Sequence, residues 1–163
     1  MLNISGINIV YVTTTILLLS TFGIFATGIN TESFDPFLIL TGRLGLILFV
    51  LSFGASKFHA IFRAGWSRQL LINRRYLGIA SALTMFVHFV WIYAQALIMP
   101  EWWAEISLYD KISGNVTLIL LCMMGMTSND VSVKYLGLKN WKRLHVIGSY
   151  VALWSFAMEY IFI

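Results

Sequence analysis

Long apolar runs are the feature of this sequence that most restricts how it can fold. Five such runs are separated by short polar connections, at about residues 7–29, 38–61, 76–98, 113–128 and 145–163. A helix needs about 20 apolar residues to cross a bilayer, and in lipid every backbone polar group must be bonded internally. The sequence therefore predicts an all-α integral membrane bundle of about five transmembrane helices, which forms one domain over residues 1–163.

Composition leads to the same fold class. Hydrophobic residues make up 59% of the chain and charged residues 11%, whereas soluble domains have roughly a half and a quarter. A soluble domain of 163 residues could not bury so much apolar surface. The N-terminus lacks the basic region of a cleavable signal peptide, and the single cysteine, Cys122, cannot form a disulfide within this sequence.

The charges alternate between the connections and predict an orientation. Nine of the eleven Lys and Arg residues fall in the second and fourth connections, whereas the first and third are mainly acidic. By the positive-inside rule, the basic connections and the N-terminus are cytoplasmic, or face the matrix or stroma of an organelle, and the C-terminus is outside. The expected location is a bacterial cytoplasmic membrane or an organelle inner membrane. Because topology explains the net charge of +4, no nucleic-acid partner is expected.

All three histidines lie in or at the ends of predicted helices. At the helical rise, His88 and Met158 each lie about 20 Å from the basic inner boundary, and His59 and His145 share a depth near the inner face. Ionisable groups at membrane depth are functional candidates, and His/His or His/Met pairs on neighbouring helices can hold haem iron. The alternative is that each histidine hydrogen bonds a Ser, a Thr or a carbonyl on a neighbouring helix.

Two charged residues and a set of small residues lie inside the predicted helices. Arg43, near the outer end of the second helix, is predicted either to pair with Glu159 or to hold a haem propionate through a charge-assisted hydrogen bond. The small residues predict close helix packing or room for a flat macrocycle, and both interpretations stay open. They include Gly42, Gly45, Gly54, Gly78, Gly114, Gly125 and Gly148.

Several motifs resemble the ferric-reductase-like transmembrane family. They are Thr41-Gly42-Arg43-Leu44-Gly45, Arg74-Arg75-Tyr76-Leu77-Gly78-Ile79-Ala80 leading to His88-Phe89, Thr127-Ser128-Asn129, and Leu136-Gly137 followed by Trp141-Lys142-Arg143-Leu144-His145. The resemblance covers about residues 25–163 and keeps order and spacing. In particular, the chain is similar to a haem-binding membrane subunit of a bacterial reductase system.

This resemblance implies b-type haem, held by histidines of the third and fifth helices. It also implies electron transfer across the bilayer, from a cytoplasmic donor or quinone to an acceptor outside. His88 and His145 match family positions, whereas the family's second histidine on the fifth helix falls at Met158. Ligation is then His/Met, or that haem is lost or differently held. His59 matches no family ligand, and the family's usual final helix would follow Ile163, where this sequence ends.

The sequence thus predicts a small b-type cytochrome subunit with one or two haems. His88 would bind one haem with Met158 opposite, and His145 a second haem, or the same one, paired with His59. The expected partners are membrane lipid, a protein electron donor or acceptor (a flavoprotein, or a larger membrane complex) and a quinone. Because no flavin or nicotinamide domain is found, an electron-transfer subunit is expected rather than a complete oxidoreductase. The alternative is an accessory or structural subunit that retains the fold with reduced or no haem binding.

Overall fold

The computed structural model describes residues 6–27 and 31–161, and every regular element in these ranges is an α-helix. The prediction of an all-α chain is therefore confirmed. The helices in chain order are α1 (Gly6–Thr27), α2 (Thr31–Phe62), α3 (Gly65–Ile98), α4 (Pro100–Glu105), α5 (Leu108–Met126), α6 (Asp130–Leu136) and α7 (Leu138–Ile161).

Three helical segments of the described chain are long and apolar enough to cross a membrane: Gly6–Ala26, Phe34–Phe62 and Gly65–Ile98. A fourth span results if α5 and α6 are counted together, although the two helices are bent by 106° at their junction. The described part of α7 does not meet the same hydropathy criterion. The expected fourth and fifth spans correspond to α5 and α7, so the count of five and the orientation of the termini stay predictions.

The exposed side chains of α1 indicate which environment this helix contacts. Leu18, Leu19 and Phe22 expose 65%, 67% and 72% of their surface, while Leu17 and Ile24 are buried. A soluble monomer rarely exposes large apolar side chains so close together, because water penalises contiguous apolar area. In a bilayer the same side chains contact lipid tails at no such cost. The exposed face of α1 is therefore suited to hydrocarbon rather than water.

The helices extend well beyond the apolar runs. The basic connection expected between the second and third spans is mostly helical, since α2 ends at Phe62 and α3 begins at Gly65. Arg68, Arg74 and Arg75 therefore lie on α3 itself. Arginine and glutamine are good helix formers, so the helix continues past the hydrophobic core into the charged segment. Hydropathy reports membrane depth and does not mark where a helix begins.

Contacts divide the chain into two compact units, Met1–His88 and Phe89–Ile163. Whether the chain is one domain, as the sequence predicts, stays a prediction. In the first unit α2 packs closely on α3 at Gly45, where an added Cβ would collide with Met85 Sδ. The Gly45 carbonyl also accepts a hydrogen bond of 2.9 Å from Ser81. These contacts favour the close-packing interpretation of Gly45 over the macrocycle interpretation.

In the second unit α7 packs against α5 and α6. A Cβ at Gly148 would lie 2.8 Å from Met124 Sδ, so the Met124 side chain packs directly against the backbone of α7 at this glycine. The α5–α6 bend ends with Asn129, whose side chain caps α6 by accepting from Ser132 N at 2.8 Å. Gly137 then links α6 to α7 with φ 74° and ψ 145°, a conformation that only glycine adopts readily.

Candidate functional site

His88 is the candidate ligand most firmly positioned by its surroundings in the first unit. Its Nδ1 atom, on α3, lies 2.9 Å from the hydroxyl oxygen of Thr41 on α2. Thr41 is 1% exposed, and its Oγ1 atom lies 2.9 Å from the Phe37 carbonyl oxygen and 3.2 Å from that of Leu38. A buried threonine thus ties the imidazole to a neighbouring helix.

The hydrogen bond between Thr41 and His88 orients the imidazole. Because a hydroxyl can donate or accept, this bond forms with either neutral tautomer of the ring, and the donor depends on which ring nitrogen carries the proton. A metal-ligating histidine usually binds the metal through one nitrogen and donates from the other to a protein group.

His145 also contacts a threonine, but through the other nitrogen. Its Nε2 atom, on α7, is 3.3 Å from Thr127 Oγ1 at the end of α5. The Thr127 hydroxyl also donates to the Met123 carbonyl at 2.7 Å. The donor in the Thr127–His145 bond depends on which ring nitrogen of His145 carries the proton.

Trp141 fixes the plane of the His145 ring. The two ring centroids are 4.2 Å apart with an interplanar angle of 31°. The Trp141 indole N–H also donates to the Thr127 carbonyl at 2.9 Å. Thr127, Trp141 and His145, called here the His145 cluster, are thus connected by two hydrogen bonds and one ring contact.

His59 lies close to the turn that joins α2 to α3. Its Nδ1 atom is 3.2 Å from Ser67 Oγ, and Ser67 is fully buried. The Ser67 hydroxyl donates to the Ala64 carbonyl at 2.9 Å and accepts from the Ala64 amide at 3.1 Å. His59 therefore extends a network that stabilises the turn. All three histidines contact a Ser or Thr of another helix, as the alternative interpretation of the sequence expects.

The remaining predicted site residues are less enclosed. Met158 is partly buried on α7, whereas Glu159 is exposed beside it and Arg43 is exposed on α2. Each predicted ligand pair, His88 with Met158 and His59 with His145, takes one residue from each unit. Both pairings stay predictions from the sequence, as do the proposed partners of Arg43.

Sequence analysis missed the residues that position the imidazoles. Thr41, Ser67, Thr127 and Trp141 were not predicted as contacts of the histidines. Two signals could have pointed to them: Thr41 and Thr127 open two of the family-like motifs, and Trp141 precedes His145 by four residues, one helical turn. Hydropathy could not have identified these contact residues, because it carries no information about which way a helix face points.

An open groove in the second unit is lined by Leu120, Asn140, Arg143, Leu144 and Ile147. Its walls are mainly apolar, and Arg143 supplies the positive charge. Arg143 is one of the basic residues of the fourth connection. The side chains that surround Arg143 in the groove are mainly apolar. None of the groove residues takes part in the histidine contacts described above.

Comparison with known proteins identifies the family. Residues 41–156 match the family described as ferric reductase like transmembrane component. The chain belongs to this family. The match begins at Thr41 and includes His88, Thr127, Trp141 and His145, whereas Met158 lies two residues beyond its end. Family membership and the apolar helices together make the chain an integral membrane protein, and the family predicted from the motifs is confirmed.

One similar protein is the protein-methionine-sulfoxide reductase heme-binding subunit MsrQ of Deinococcus radiodurans. It is 29% identical over 107 residues, which are 64% of this chain and 52% of the relative. The chain therefore spans about half the length of this curated relative. No solved structure matches the chain.

Proposed function

We propose that this chain is a haem-binding membrane subunit that transfers electrons, a small b-type cytochrome. The observation that carries the proposal is His88: it is partly buried on an apolar helix, and the Thr41 hydroxyl, 2.9 Å from its Nδ1 atom, orients the imidazole. Membership of the ferric-reductase-like family and similarity to a subunit named as heme-binding support the same function. The donor set fits haem, because a neutral imidazole with its second nitrogen anchored is an ordinary axial ligand.

The residues take different parts in this proposal. His88 would hold the iron of one haem through Nε2, and Met158, His145 and His59 are the other candidate ligands. Arg43 would hold a propionate. When bound, haem supplies the one-electron chemistry. The apolar helices keep water away from it, which lowers the local dielectric that tunes the reduction potential. One or two haems of type b are expected.

The basic residues of the inner face are proposed to meet the electron donor. Arg74 and Arg75 on α3 are exposed, and so are Lys142 and Arg143 on α7. Each basic pair could attract an acidic flavoprotein by charge complementarity. A membrane quinone is the alternative donor, and the acceptor is a partner protein. The proposed location is a bacterial cytoplasmic membrane or an organelle inner membrane. The chain would act as an electron-transfer subunit of an oxidoreductase.

A reduced-minus-oxidised absorbance spectrum of the detergent-purified chain tests the proposal, together with a pyridine haemochrome assay of haem per polypeptide. We expect a Soret band that shifts on reduction and one or two b-type haems per chain. A folded, monodisperse chain that binds no haem, even when expressed with excess haem precursor, would contradict the proposal.

A second candidate function is an accessory subunit that keeps the fold with reduced or no haem binding. The contact between His145 Nε2 and Thr127 favours it, because that nitrogen is already engaged. The Met158 position, which replaces a family histidine, favours it too. The haem assay separates the two functions, since the accessory subunit would be folded and haem-free.

A further inference from the structure

We propose that the open groove between α5 and α7 binds one anionic phospholipid, with the phosphate at Arg143 and part of an acyl chain along the apolar wall. This groove, called here the α5–α7 groove, lies wholly within the second unit. It is lined by Leu120, Asn140, Arg143, Leu144 and Ile147. The proposal is independent of haem binding, since none of these residues takes part in the histidine contacts.

The first observation is the order of the lining residues along α7. Asn140 and Arg143 lie in the first two turns of the helix, and Leu144 and Ile147 follow toward its apolar part. Positions 140, 143, 144 and 147 have the i, i+3, i+4, i+7 spacing that places side chains on one face of a helix. The α5–α7 groove therefore has a polar end and an apolar end on one continuous face, as a phospholipid has.

The second observation is the charge at the polar end of the groove. Asn140 donates its side-chain amide to the Leu136 carbonyl at 3.1 Å, whereas the guanidinium of Arg143 is exposed and has no acidic partner within residues 6–27 and 31–161. A guanidinium binds phosphate oxygens through parallel hydrogen bonds. The surrounding sequence is purely basic, because residues 131–158 contain no Asp or Glu and have four cations, Lys134, Lys139, Lys142 and Arg143.

The third observation is the size of the groove, which decides among possible occupants. Asn140 and Ile147 are seven residues apart, so the groove extends about 10 Å along α7. A transmembrane helix of a partner would contact α7 over most of a hydrocarbon core about 30 Å thick. The cavity volume of about 250 Å³ is also below the roughly 300–1,000 Å³ of small-molecule and cofactor pockets. A headgroup with part of one acyl chain fits these dimensions.

The predicted orientation adds a reason for a negatively charged lipid. It places the polar end of the α5–α7 groove at the cytoplasmic or matrix surface, where basic pockets between transmembrane helices bind anionic headgroups. Ile147, at the other end, is 49% exposed and so is open to lipid tails. The lipid would neutralise Arg143, and an acidic electron donor on α7 would meet Lys142 instead.

The test of the polar end measures lipid bound to the delipidated full chain in detergent by native mass spectrometry. We expect one phosphatidylglycerol per chain, bound about fivefold tighter than phosphatidylcholine with the same acyl chains. Arg143→Gln should remove this preference, because one cation near an anionic surface contributes about 1 kcal/mol, and Arg143→Lys should retain it. Lys142→Gln is the matched control: it removes the same charge from an exposed neighbour outside the groove and should bind phosphatidylglycerol as the wild type does.

The apolar end is tested by filling it. Ile147→Trp should abolish the bound phosphatidylglycerol. Val146→Trp is its control, since Val146 and Ile147 are 51% and 49% exposed and only Ile147 lines the groove. Phosphatidylglycerol with a photoreactive group in its acyl chain should cross-link to the wild-type peptides that contain Leu120 and Ile147. Circular dichroism checks that each variant keeps its helices.

Several outcomes would overturn the proposal. An equal loss of binding in Arg143→Gln and Lys142→Gln would mean that charge alone, and not the groove, attracts the lipid. Equal affinity for the two lipids, or cross-links only outside the groove, would contradict it as well. Displacement of phosphatidylglycerol by an equimolar decyl-chain quinone would assign the α5–α7 groove to a quinone. The haem assay decides the proposed function separately, because lipid binding is measured without reference to haem.

Discussion

His88 and His145 have the same kind of partner and opposite chemistry. Each imidazole contacts a threonine hydroxyl that also bonds a carbonyl of its own helix. His88 uses Nδ1 at 2.9 Å, and His145 uses Nε2 at 3.3 Å. The two imidazoles are therefore held through opposite ring nitrogens. If haem bound both histidines through Nε2, His145 would first have to give up its bond to Thr127, whereas His88 would keep its bond to Thr41.

The largest expected effect is the loss of haem affinity on replacing His88, and the same replacement of His145 tests whether the two histidines differ. His88→Ala should lower haem affinity on the order of 100-fold or more, beyond the loss caused by removing an outer partner. His145→Ala should lower haem content by less. In the wild type the Nε2 atom of His145 is hydrogen-bonded to Thr127 and would have to leave it before it could bind iron. Haem per polypeptide and the Soret spectrum of both variants measure this. Equal losses in the two variants would contradict the distinction.

The next largest effect is expected for Gly137, which links α6 to α7 before the His145 cluster. Gly137 has φ 74°, and its carbonyl accepts the amide of Trp141 at 3.0 Å. A non-glycine residue in such a conformation costs on the order of 1–3 kcal/mol. Gly137→Ala should therefore lower the free energy of unfolding by that amount and loosen the first turn of α7. Unfolding by denaturing detergent measures the stability change.

The same variant sharpens the comparison between the histidines. Since Gly137 belongs to the second unit, its replacement should change the imidazole NMR signals of His145 and leave those of His88 as in the wild type. If His88 changed as much as His145, the two histidines would not be held independently. Gly23, for which a Cβ would meet no atom within 4 Å, provides Gly23→Ala as a control.

How much of the fold and of the candidate site could be predicted from the sequence depends on the size of the feature, from a whole helix down to a single side-chain contact. Runs of about 20 apolar residues predict helices because lipid leaves no alternative, and motifs such as Trp141–His145 predicted the family. Helix α6 was missed, since its seven residues, Asp130–Leu136, are too few for a hydropathy signal. The Thr41–His88 contact was missed for a different reason: it depends on the rotation and register of two helices to within a side-chain length.

A smaller effect is expected for the indole of Trp141. Trp141→Phe removes the hydrogen bond to the Thr127 carbonyl and keeps an aromatic ring over His145. The net loss of one hydrogen bond is about 1 kcal/mol, so the unfolding free energy should fall by about that much. Haem bound through His88 should be unaffected. A fall in haem content equal to that of His88→Ala would show that the His145 cluster, rather than the Thr41 contact, controls haem binding.

The smallest expected effect comes from a threonine that has no such contact. Thr117 on α5 is 3% exposed, and its hydroxyl has no hydrogen-bond partner among the described residues. Removing an unpaired buried polar group while keeping its shape is nearly neutral or stabilising, so Thr117→Val should leave the unfolding free energy unchanged or raise it by up to about 1 kcal/mol. Thermal unfolding in detergent compares it with Thr41→Val, which should be the less stable variant because it removes the hydrogen-bond partner of His88 Nδ1. A Thr117→Val loss as large as that of Thr41→Val would mean that burial of a hydroxyl, and not its contact with histidine, determines the cost.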